Sequence, residues 1–283
     1  MARRRKIISF GIGGFLLILA ILYFFPYVWM VSVSMKPDGE IYSTSIFPQN
    51  PTLLQYQRLF FGYQFKGITL EVDYPAYYKN TIIVTVISLI VVIFTDALAA
   101  YGFAKFNFRG KTVLFWLMIG TMMLPVYATL IPSFWLFSKL KMINTYQALI
   151  LPGVVDAYGI FLLKQYMETI PSEILDSAKV DGAGAFRRFW QIVIPLSRPA
   201  LGTLVVFRFI GVWNDYLWPL VIIRKPGMYT LSIGIANMQL RQGMVVWGSQ
   251  MAASVLATIP VIILVLVMQQ QFLRGLTSGA FKA

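Results

Sequence analysis

The sequence contains no cysteine and no histidine. The first absence excludes disulfides and thiol chemistry, and the second removes the commonest general base and transition-metal ligand. The Gly-x-x-x-x-Gly-Lys-Ser/Thr motif is also absent, so this chain has no P-loop with which to bind and hydrolyse ATP. We therefore expect no catalytic residue and no metal site in this chain. Any nucleotide energy that it uses must come from a partner.

Charge is scarce and apolar side chains are abundant. Of the 283 residues, 12% are charged and 58% are hydrophobic, which is the composition of a chain whose solvent is mostly lipid. The net charge of +13 raises the question of nucleic-acid binding. The basic residues lie mostly beside apolar runs and form no stripe interleaved with aromatics, so a lipid bilayer is expected as a partner and nucleic acid is not.

Segments long enough to cross a bilayer recur along the chain. A hydrocarbon core of about 30 Å needs roughly 20 mainly apolar helical residues. Six segments meet this requirement: 7–33, 81–103, 112–137, 146–166, 199–223 and 251–272. The sequence therefore predicts an all-α integral membrane protein with six transmembrane helices in a single transmembrane domain over residues 1–283.

The orientation follows from the distribution of Lys and Arg. The basic amino terminus, Arg3 to Lys6, precedes a long apolar stretch without a small-x-small cleavage site, which predicts a retained anchor. Short loops on the same side as this terminus carry more Lys and Arg than those on the other side, so both termini are predicted to be cytoplasmic. The irregular outer segment 35–79 is interpreted either as a folded cap or as a contact for an external partner.

Prolines and ionisable side chains fall inside the predicted spans. Each proline removes a backbone hydrogen bond and can kink a helix, as a static bend or as a hinge. These prolines are Pro26, Pro125, Pro132, Pro152, Pro219 and Pro260. Ionisable groups at bilayer depth normally face protein or a water-filled path, and here they are Asp96, Asp156, Arg208 and Asp215.

Four residues of the fifth span are candidates for the translocation path. Aromatic faces with amide or carboxylate groups suit sugar rings and hydroxyls, although the same residues could instead pack against neighbouring helices. They are Asn214, Asp215, Tyr216 and Trp218.

The polar segment 171–196 lies between two apolar ones and is expected in water at the cytoplasmic face. Ser172 is predicted as the N-cap of a short helix that ends near Val180, and Gly182 with Gly184 permits a sharp turn. Apolar residues then recur at helical spacing until Pro195 interrupts them. From spacing alone this hairpin could fold back on its own bundle, lie on the lipid surface, or insert into a partner's cleft.

This segment resembles the EAA motif of ABC-importer membrane subunits, whose coupling helix docks on the ATPase. Asp176-Ser177-Ala178 stands at the Glu-Ala-Ala position, Asp181-Gly182-Ala183 at Asp-Gly-Ala, and Ile192–Leu196 at the final element, with Asp for Glu and Ser for Ala as departures. The ATPase-coupling residues that the resemblance implies are Glu173, Asp176, Ala178, Asp181, Gly182, Ala183, Phe186 and Pro195.

Further stretches resemble the carbohydrate-importer branch, the maltose-type permeases. They are Tyr101–Lys111, Met123–Pro125, Ile131-Pro132, Trp213–Leu220 and Phe272–Ala280. The resemblance implies a second homologous permease subunit, an ATPase dimer that binds ATP and Mg, and an extracytoplasmic solute-binding protein. It also implies a multi-pass protein of the bacterial or archaeal plasma membrane. In the maltose system the other membrane subunit makes most of the sugar contacts.

The sequence thus predicts a non-enzymatic subunit of an ATP-driven importer for a sugar or oligosaccharide. Importers of glycerol phosphate esters, or of acidic oligosaccharides such as alginate, remain alternatives. A more remote alternative is a secondary transporter that uses Asp96, Asp156 and Asp215 as proton or sodium sites. An integral membrane enzyme is a further one, and it would depend on Asp, Lys or Tyr groups.

Overall fold

The computed structural model describes the backbone of residues 2–65, 68–70, 72–238 and 246–280, and the side chains of 10–62, 72–238 and 246–269. Contacts divide the chain into two compact units. One comprises Met1–Pro75 and Gly234–Ile259, and the other Ala76–Ile233 and Pro260–Ala283. The prediction of one domain over 1–283 stays a prediction.

Three long helices are apolar enough to cross a membrane. They lie within α1 (Ala2–Ser34), α3 (Tyr74–Lys105) and α14 (Trp247–Ala280), where the apolar stretches are Phe10–Ser34, Tyr74–Lys105 and Trp247–Gln269. They correspond to the first, second and sixth predicted spans. With three further pairs of bent helices, the described residues offer up to six crossings, so the all-helical membrane architecture is confirmed at that level.

The third predicted span, 112–137, is two helices rather than one. Helix α4 (Lys111–Thr121) and helix α5 (Val126–Lys139) meet at an angle of 98°. Pro125 explains the break, because it has no N–H to donate to the Thr121 carbonyl four residues earlier and its ring would strike that carbonyl. Helix α4 accordingly ends at Thr121.

The fourth and fifth predicted spans, 146–166 and 199–223, are also interrupted. Helix α6 (Tyr146–Ile150) and a 3₁₀ turn (Leu151–Gly153) that contains Pro152 are bent by 44° from α7 (Ala157–Glu168). Helix α11 (Arg198–Trp213) stops before α12 (Leu217–Ile222), whose first turn contains Pro219. Proline in the first turn of a helix loses no intrahelical bond, so each chain segment restarts its helix there.

The remaining elements connect these spans. They are a 3₁₀ turn (Asp38–Glu40), α2 (Leu54–Phe61), β1 (Tyr63–Phe65), β2 (Ile68–Leu70), α8 (Ser172–Val180), α9 (Ala185–Arg188), a π-helical turn (Phe189–Val193), α10 (Ile194–Leu196), a 3₁₀ turn (Pro226–Met228) and α13 (Leu231–Asn237). Strands β1 and β2 pair antiparallel, with Tyr63 opposite Leu70. The sequence did not predict this small hairpin.

The outer segment is a folded cap in the described part of the first unit. The Lys36 side chain is buried, and its Nζ donates to the Ser45 carbonyl at 2.6 Å. Gln55 donates to the Lys36 carbonyl at 3.1 Å and accepts from Ser249 at the start of α14 at 3.0 Å. These bonds explain why so irregular a segment keeps one conformation.

An ion pair in this cap predicts a pH dependence. Arg58 donates from both terminal nitrogens to the two Asp38 oxygens, at 2.6 and 2.7 Å, and this bonding lowers the pKa of Asp38 below its ordinary value of 3.8. The stabilisation is therefore present above pH 3.8 and is lost as the pH falls through the lower folded-state pKa.

We expect Asp38→Asn to lower the stability of the purified protein at pH 7 by at most about 1 kcal/mol, because about half of the Asp38 side chain is exposed and solvent screens the ion pair. The difference from the unmodified chain should shrink as the pH falls below 3.8 and through the lower folded-state pKa of Asp38, where the carboxylate takes up its proton. Thermal unfolding at pH 7, 5 and 3 measures it. A difference that persists unchanged at the lowest pH would contradict the assignment.

Candidate functional site

The segment 171–196 begins with an amphipathic helix and a glycine turn. Helix α8 ends at Val180, and Gly182 follows with φ of +79°, a conformation that glycine adopts without strain. The Gly182 amide donates to the Lys179 carbonyl at 3.0 Å and the Ala183 amide to the Ala178 carbonyl at 2.8 Å. This is the Schellman pattern of helix termination, and it brings Ala178 and Ala183 together.

The helix start differs from the prediction. Ser172 is the first helical residue, while Pro171 occupies the N-cap with an extended ψ of 135°. The prediction that Ser172 caps the helix is therefore wrong. Proline at the N-cap leaves α8 without a capping side chain. The Glu173 carboxylate in the first turn stabilises the helix instead, because it lies near the positive end of the helix dipole.

The second arm is more continuous than predicted. Residues Ala185–Leu196 form one run of helix that includes the π turn Phe189–Val193, and Pro195 lies inside it. Pro195 therefore does not interrupt the helix. The bend of 78° comes after Leu196, at Ser197. A π turn already departs from the regular bonding pattern, so the N–H that Pro195 lacks costs little there.

Three apolar side chains of the segment are buried in the second unit. Leu175, Phe189 and Val193 join a core cluster with residues of α3, α7 and α11. Lys105 at the end of α3 donates to the Ile170 carbonyl at 2.6 Å, just before the segment. The base of the segment is thus fixed, and removing the Phe189 ring would cost about 3–5 kcal/mol.

The tip of the segment is exposed and partly apolar. Val180 is 88% exposed and Phe186 is 62% exposed, on either side of the Gly182 turn. Among the predicted coupling residues, Glu173, Asp176 and Asp181 are also exposed, whereas Ala178, Ala183 and Pro195 are half-buried. Sequence reasoning missed Val180. The sequence could have indicated its exposure, because Val180 comes just before Asp181-Gly182, and a residue at the end of a helix before a glycine turn lies at the tip of the hairpin.

Two carboxylates within the spans serve the start of helix α7. Asp156 is its N-cap and accepts from the Tyr158 amide at 3.2 Å. Asp96 of α3 is fully buried, and its Oδ1 accepts from the Asp156 amide at 2.9 Å. A side chain on Gly159 would place its Cβ 2.2 Å from Asp96 Oδ2, so glycine there makes room for the carboxylate. Both carboxylates therefore stabilise α7, because they lie at the positive end of its helix dipole.

Arg208 lies in the wall of a cavity in the second unit. Its NH2 donates to the Gly153 carbonyl at 2.9 Å, and a Cβ on Gly153 would lie 1.8 Å from that nitrogen. The cavity has a volume of about 480 Å³ and is lined by residues of α3, α5, α11 and α12 and of the 3₁₀ turn at Gly153. The described residues contain no group of three acidic side chains that could hold a metal ion.

Two of the four predicted path residues line this cavity. Asp215 and Trp218 do, whereas Asn214 and Tyr216 are exposed elsewhere at the break between α11 and α12. Asn214 donates to the Ile210 carbonyl of its own helix at 3.0 Å. The prediction that all four line a translocation path stays a prediction. Gly153, which the sequence did not single out, contributes to the same wall.

The sequence of residues 97–278 matches the model of the family described as binding-protein-dependent transport system inner membrane component. The chain belongs to this family. Its resemblance to ABC-importer permeases is confirmed, and it is a multi-pass membrane protein. The matched region contains the segment 171–196 and all of the cavity wall except Thr81 and Val84 of α3.

Curated relatives align over nearly the whole chain. The arabinooligosaccharides transport system permease protein AraQ of Bacillus subtilis (strain 168) is 30% identical over 95% of this chain and 94% of its own length. The trehalose/maltose transport system permease protein MalG of Thermococcus litoralis is 32% identical over 94% of both. The sn-glycerol-3-phosphate transport system permease protein UgpE of Yersinia enterocolitica is 41% identical over 64% of this chain and 65% of its own.

A solved structure shares the fold. It is described as a bacterial ABC transporter involved in the import of the acidic polysaccharide alginate, and one of its chains matches with a TM-score of 0.83. The match covers 95% of this chain and 98% of that chain at 24% identity. A second structure, the alginate transporter with its pentasaccharide-bound periplasmic protein, matches with a TM-score of 0.64 at 16% identity, over 93% and 94%. At these identities the likeness concerns the fold alone.

Proposed function

We propose that this chain is one of two membrane subunits of an ATP-driven importer that translocates a sugar or oligosaccharide. A solute-binding protein would deliver the solute from outside, and an ATPase dimer with bound ATP and Mg would drive the cycle. The chain itself would catalyse no covalent chemistry. Its place would be the plasma membrane of a bacterium or archaeon, with both termini and the segment 171–196 on the cytoplasmic side.

The observation that carries the proposal is the segment 171–196 itself. An exposed apolar tip at Val180 and Phe186 stands on a base buried through Leu175, Phe189 and Val193. A segment that folded back on its own bundle would bury the tip, so that alternative is disfavoured. A fixed base with an exposed apolar end suits insertion into a cleft of a water-soluble partner.

Helices α3 and α7 offer a route from this segment to the cavity. Two hydrogen bonds join α3 to the two ends of α7. Asp96 accepts from the Asp156 amide just before α7, and Lys105 donates to the Ile170 carbonyl just after it. Between these bonds they share the buried cluster that also contains Leu175. A displacement of the docked segment would therefore move α7 as a rigid element and, with it, the cavity wall at Gly153.

The ion-driven alternative is disfavoured by the same contacts. Asp96 and Asp156 are engaged with backbone amides at the start of α7, which gives both carboxylates a structural role. The remaining acid, Asp215, lies beside the amides of Tyr216, Leu217 and Trp218 at the start of α12. An integral membrane enzyme is disfavoured by the family.

Carbohydrate is the favoured solute because AraQ of B. subtilis and MalG of T. litoralis, named for arabinooligosaccharides and for trehalose/maltose, align over nearly the full chain. Two alternative solutes remain. Glycerol phosphate is suggested by the similarity to UgpE, and acidic oligosaccharides by the similarity to the alginate transporter.

Substitution at the tip tests the ATPase contact. We expect Phe186→Asp to abolish co-purification of the ATPase, because a desolvated carboxylate would replace an apolar anchor, while the membrane level of the chain stays unchanged. The matched control is Phe108→Asp, which changes another exposed aromatic in the loop after α3. Equal retention of the ATPase by both variants would show that the tip is not the contact.

A further inference from the structure

The cavity beside Arg208 contains buried polar atoms without partners. Among the described residues, Arg208 Nε has no hydrogen-bond partner, although the NH2 of the same guanidinium donates to the Gly153 carbonyl. Thr230 also lines the cavity, is only 5% exposed, and its Oγ1 is likewise unpaired. Buried polar atoms in proteins almost always have partners. Two unpaired ones in the wall of one cavity indicate a place for a polar solute.

An aromatic face completes the wall and is held in position. Trp218 donates from Nε1 to the Ala148 carbonyl at 2.7 Å, and its ring lies edge-on to Phe137 with centroids 5.6 Å apart. Because these contacts fix the indole before any ligand arrives, it can offer an apolar surface at little entropic cost. The C–H face of a sugar ring is the chemistry that fits beside such a surface.

The charge of the lining selects between the solute classes. Of the residues that line the cavity, two are charged, Arg208 and Asp215, and their signs are opposite. A guanidinium can donate to hydroxyl oxygens and a carboxylate can accept from hydroxyl protons. An acidic or phosphorylated solute would gain from Arg208 but would be repelled by Asp215. A hydroxyl-rich uncharged solute can use both groups.

From this geometry we infer that the cavity of this subunit binds an uncharged polyhydroxylated solute, and the inference rests on the proposed importer function. Arg208 and Asp215 hold its hydroxyl groups, Thr230 adds a third hydrogen bond, and Trp218 packs against its ring. The volume of about 480 Å³ lies within the range of small-molecule sites. This subunit would then contact the solute directly, rather than leaving recognition to its membrane partner.

Equilibrium binding to the purified complex tests the inference. The complex is placed in nanodiscs without the external binding protein and titrated with radiolabelled arabinotriose, maltotriose and trigalacturonate. We expect at least one uncharged trisaccharide to bind at least about tenfold more tightly than the acidic one. Thr230→Val should weaken that binding by about threefold to tenfold, the loss expected for one hydrogen bond.

Two charge variants change the preference between acidic and uncharged sugars, which a purely structural role of Arg208 and Asp215 would not do. Asp215→Asn leaves Arg208 unopposed and should improve trigalacturonate binding relative to the uncharged sugars. Arg208→Gln should weaken binding of both classes, and of trigalacturonate the more, because Asp215 is then unopposed, so the preference shifts in the opposite direction. The matched control is Thr121→Val, the same substitution at an exposed threonine outside the cavity, which should bind as the unmodified complex does.

Binding of none of the three probes, tighter binding of the acidic one by the unmodified complex, or equal binding by Thr230→Val would each overturn the cavity assignment. The ATPase content of the same preparation is measured separately. Its presence leaves the importer function standing whatever the cavity binds, and its absence counts against the importer function alone.

Discussion

Replacing Gly182 with valine should reduce transport by roughly fivefold to thirtyfold while the chain still inserts into the membrane. Gly182 has a φ of +79°, where a side chain costs about 1–2 kcal/mol and a β-branched one more. A cost of that size shifts the population of the folded turn by a factor of about 5–30. The two hydrogen bonds of the turn would be lost, and Val180 and Phe186 would no longer stand at the tip together. Solute uptake and solute-stimulated ATPase activity, normalised to membrane level, measure the effect.

The chain offers a matched control two residues away. Gly184 has an ordinary φ of −63°, and a Cβ on either glycine would meet no atom within 4 Å. Gly184→Val should therefore keep most of the transport activity, because neither strain nor a clash arises. Equal loss in the two variants would show that side-chain bulk at the contact, rather than the turn conformation, is responsible. Normal uptake with Gly182→Val would contradict the docking role of the segment.

Asp96→Leu should lower the amount of folded protein in the membrane several-fold. The leucine cannot accept the hydrogen bond of the Asp156 amide, and an unpaired buried amide costs about 1–3 kcal/mol. A loss of 1–2 kcal/mol is enough to change cellular abundance several-fold. Quantitative immunodetection in isolated membranes and a thermal-unfolding midpoint in detergent measure the two consequences.

Asp96→Asn separates the structural role from ion coupling. Its amide oxygen can still accept from the Asp156 amide, and its nitrogen replaces Oδ2, which already lacks a partner. We expect transport within about twofold of the unmodified protein, since the hydrogen bond is kept. An ion-driven transporter that protonates Asp96 would instead lose transport in this variant while remaining folded. That outcome would favour the ion-driven alternative.

Much of the segment 171–196 could be predicted from local chemistry. Gly182 follows a short amphipathic helix and must take up a left-handed conformation, which neighbouring residues alone determine. The orientation of α8 is different, because Leu175 is buried through contacts with α3 and α7, residues far away in the sequence. The prediction that Ser172 is the N-cap was wrong because the helix begins one residue earlier than expected. Pro171 occupies the N-cap position, and Ser172 is already helical.

The prolines show where sequence reasoning reaches its limit. Pro125, Pro152 and Pro219 coincide with interrupted spans, whereas Pro26, Pro132 and Pro260 lie inside continuous helices. The sequence identifies all six as sites of a missing hydrogen bond. Whether the helix continues depends on whether the freed carbonyl finds another partner, which a neighbouring helix, a Ser or Thr side chain or water can supply in a membrane protein.

Two residues of the cavity wall, Asp215 and Trp218, could be predicted from the sequence as path candidates, but the rest of the wall could not. Gly153, Arg208 and Thr230 are distant in the chain and come together only in the folded structure. Of these three residues, Arg208 had a signal in the sequence, as a charge at bilayer depth, and Asp215 of the same wall had the same signal.

The most direct test of the account is the composition of the complex in its native membrane. The chain is extracted in a gentle detergent, and intact-complex mass and ATPase activity are measured on the same sample. We expect one copy of this chain with a second polytopic subunit and a pair of ATPase subunits, with activity that rises when a solute-loaded binding protein is added. Recovery of the chain alone or paired only with itself, without ATPase activity, would contradict the importer function.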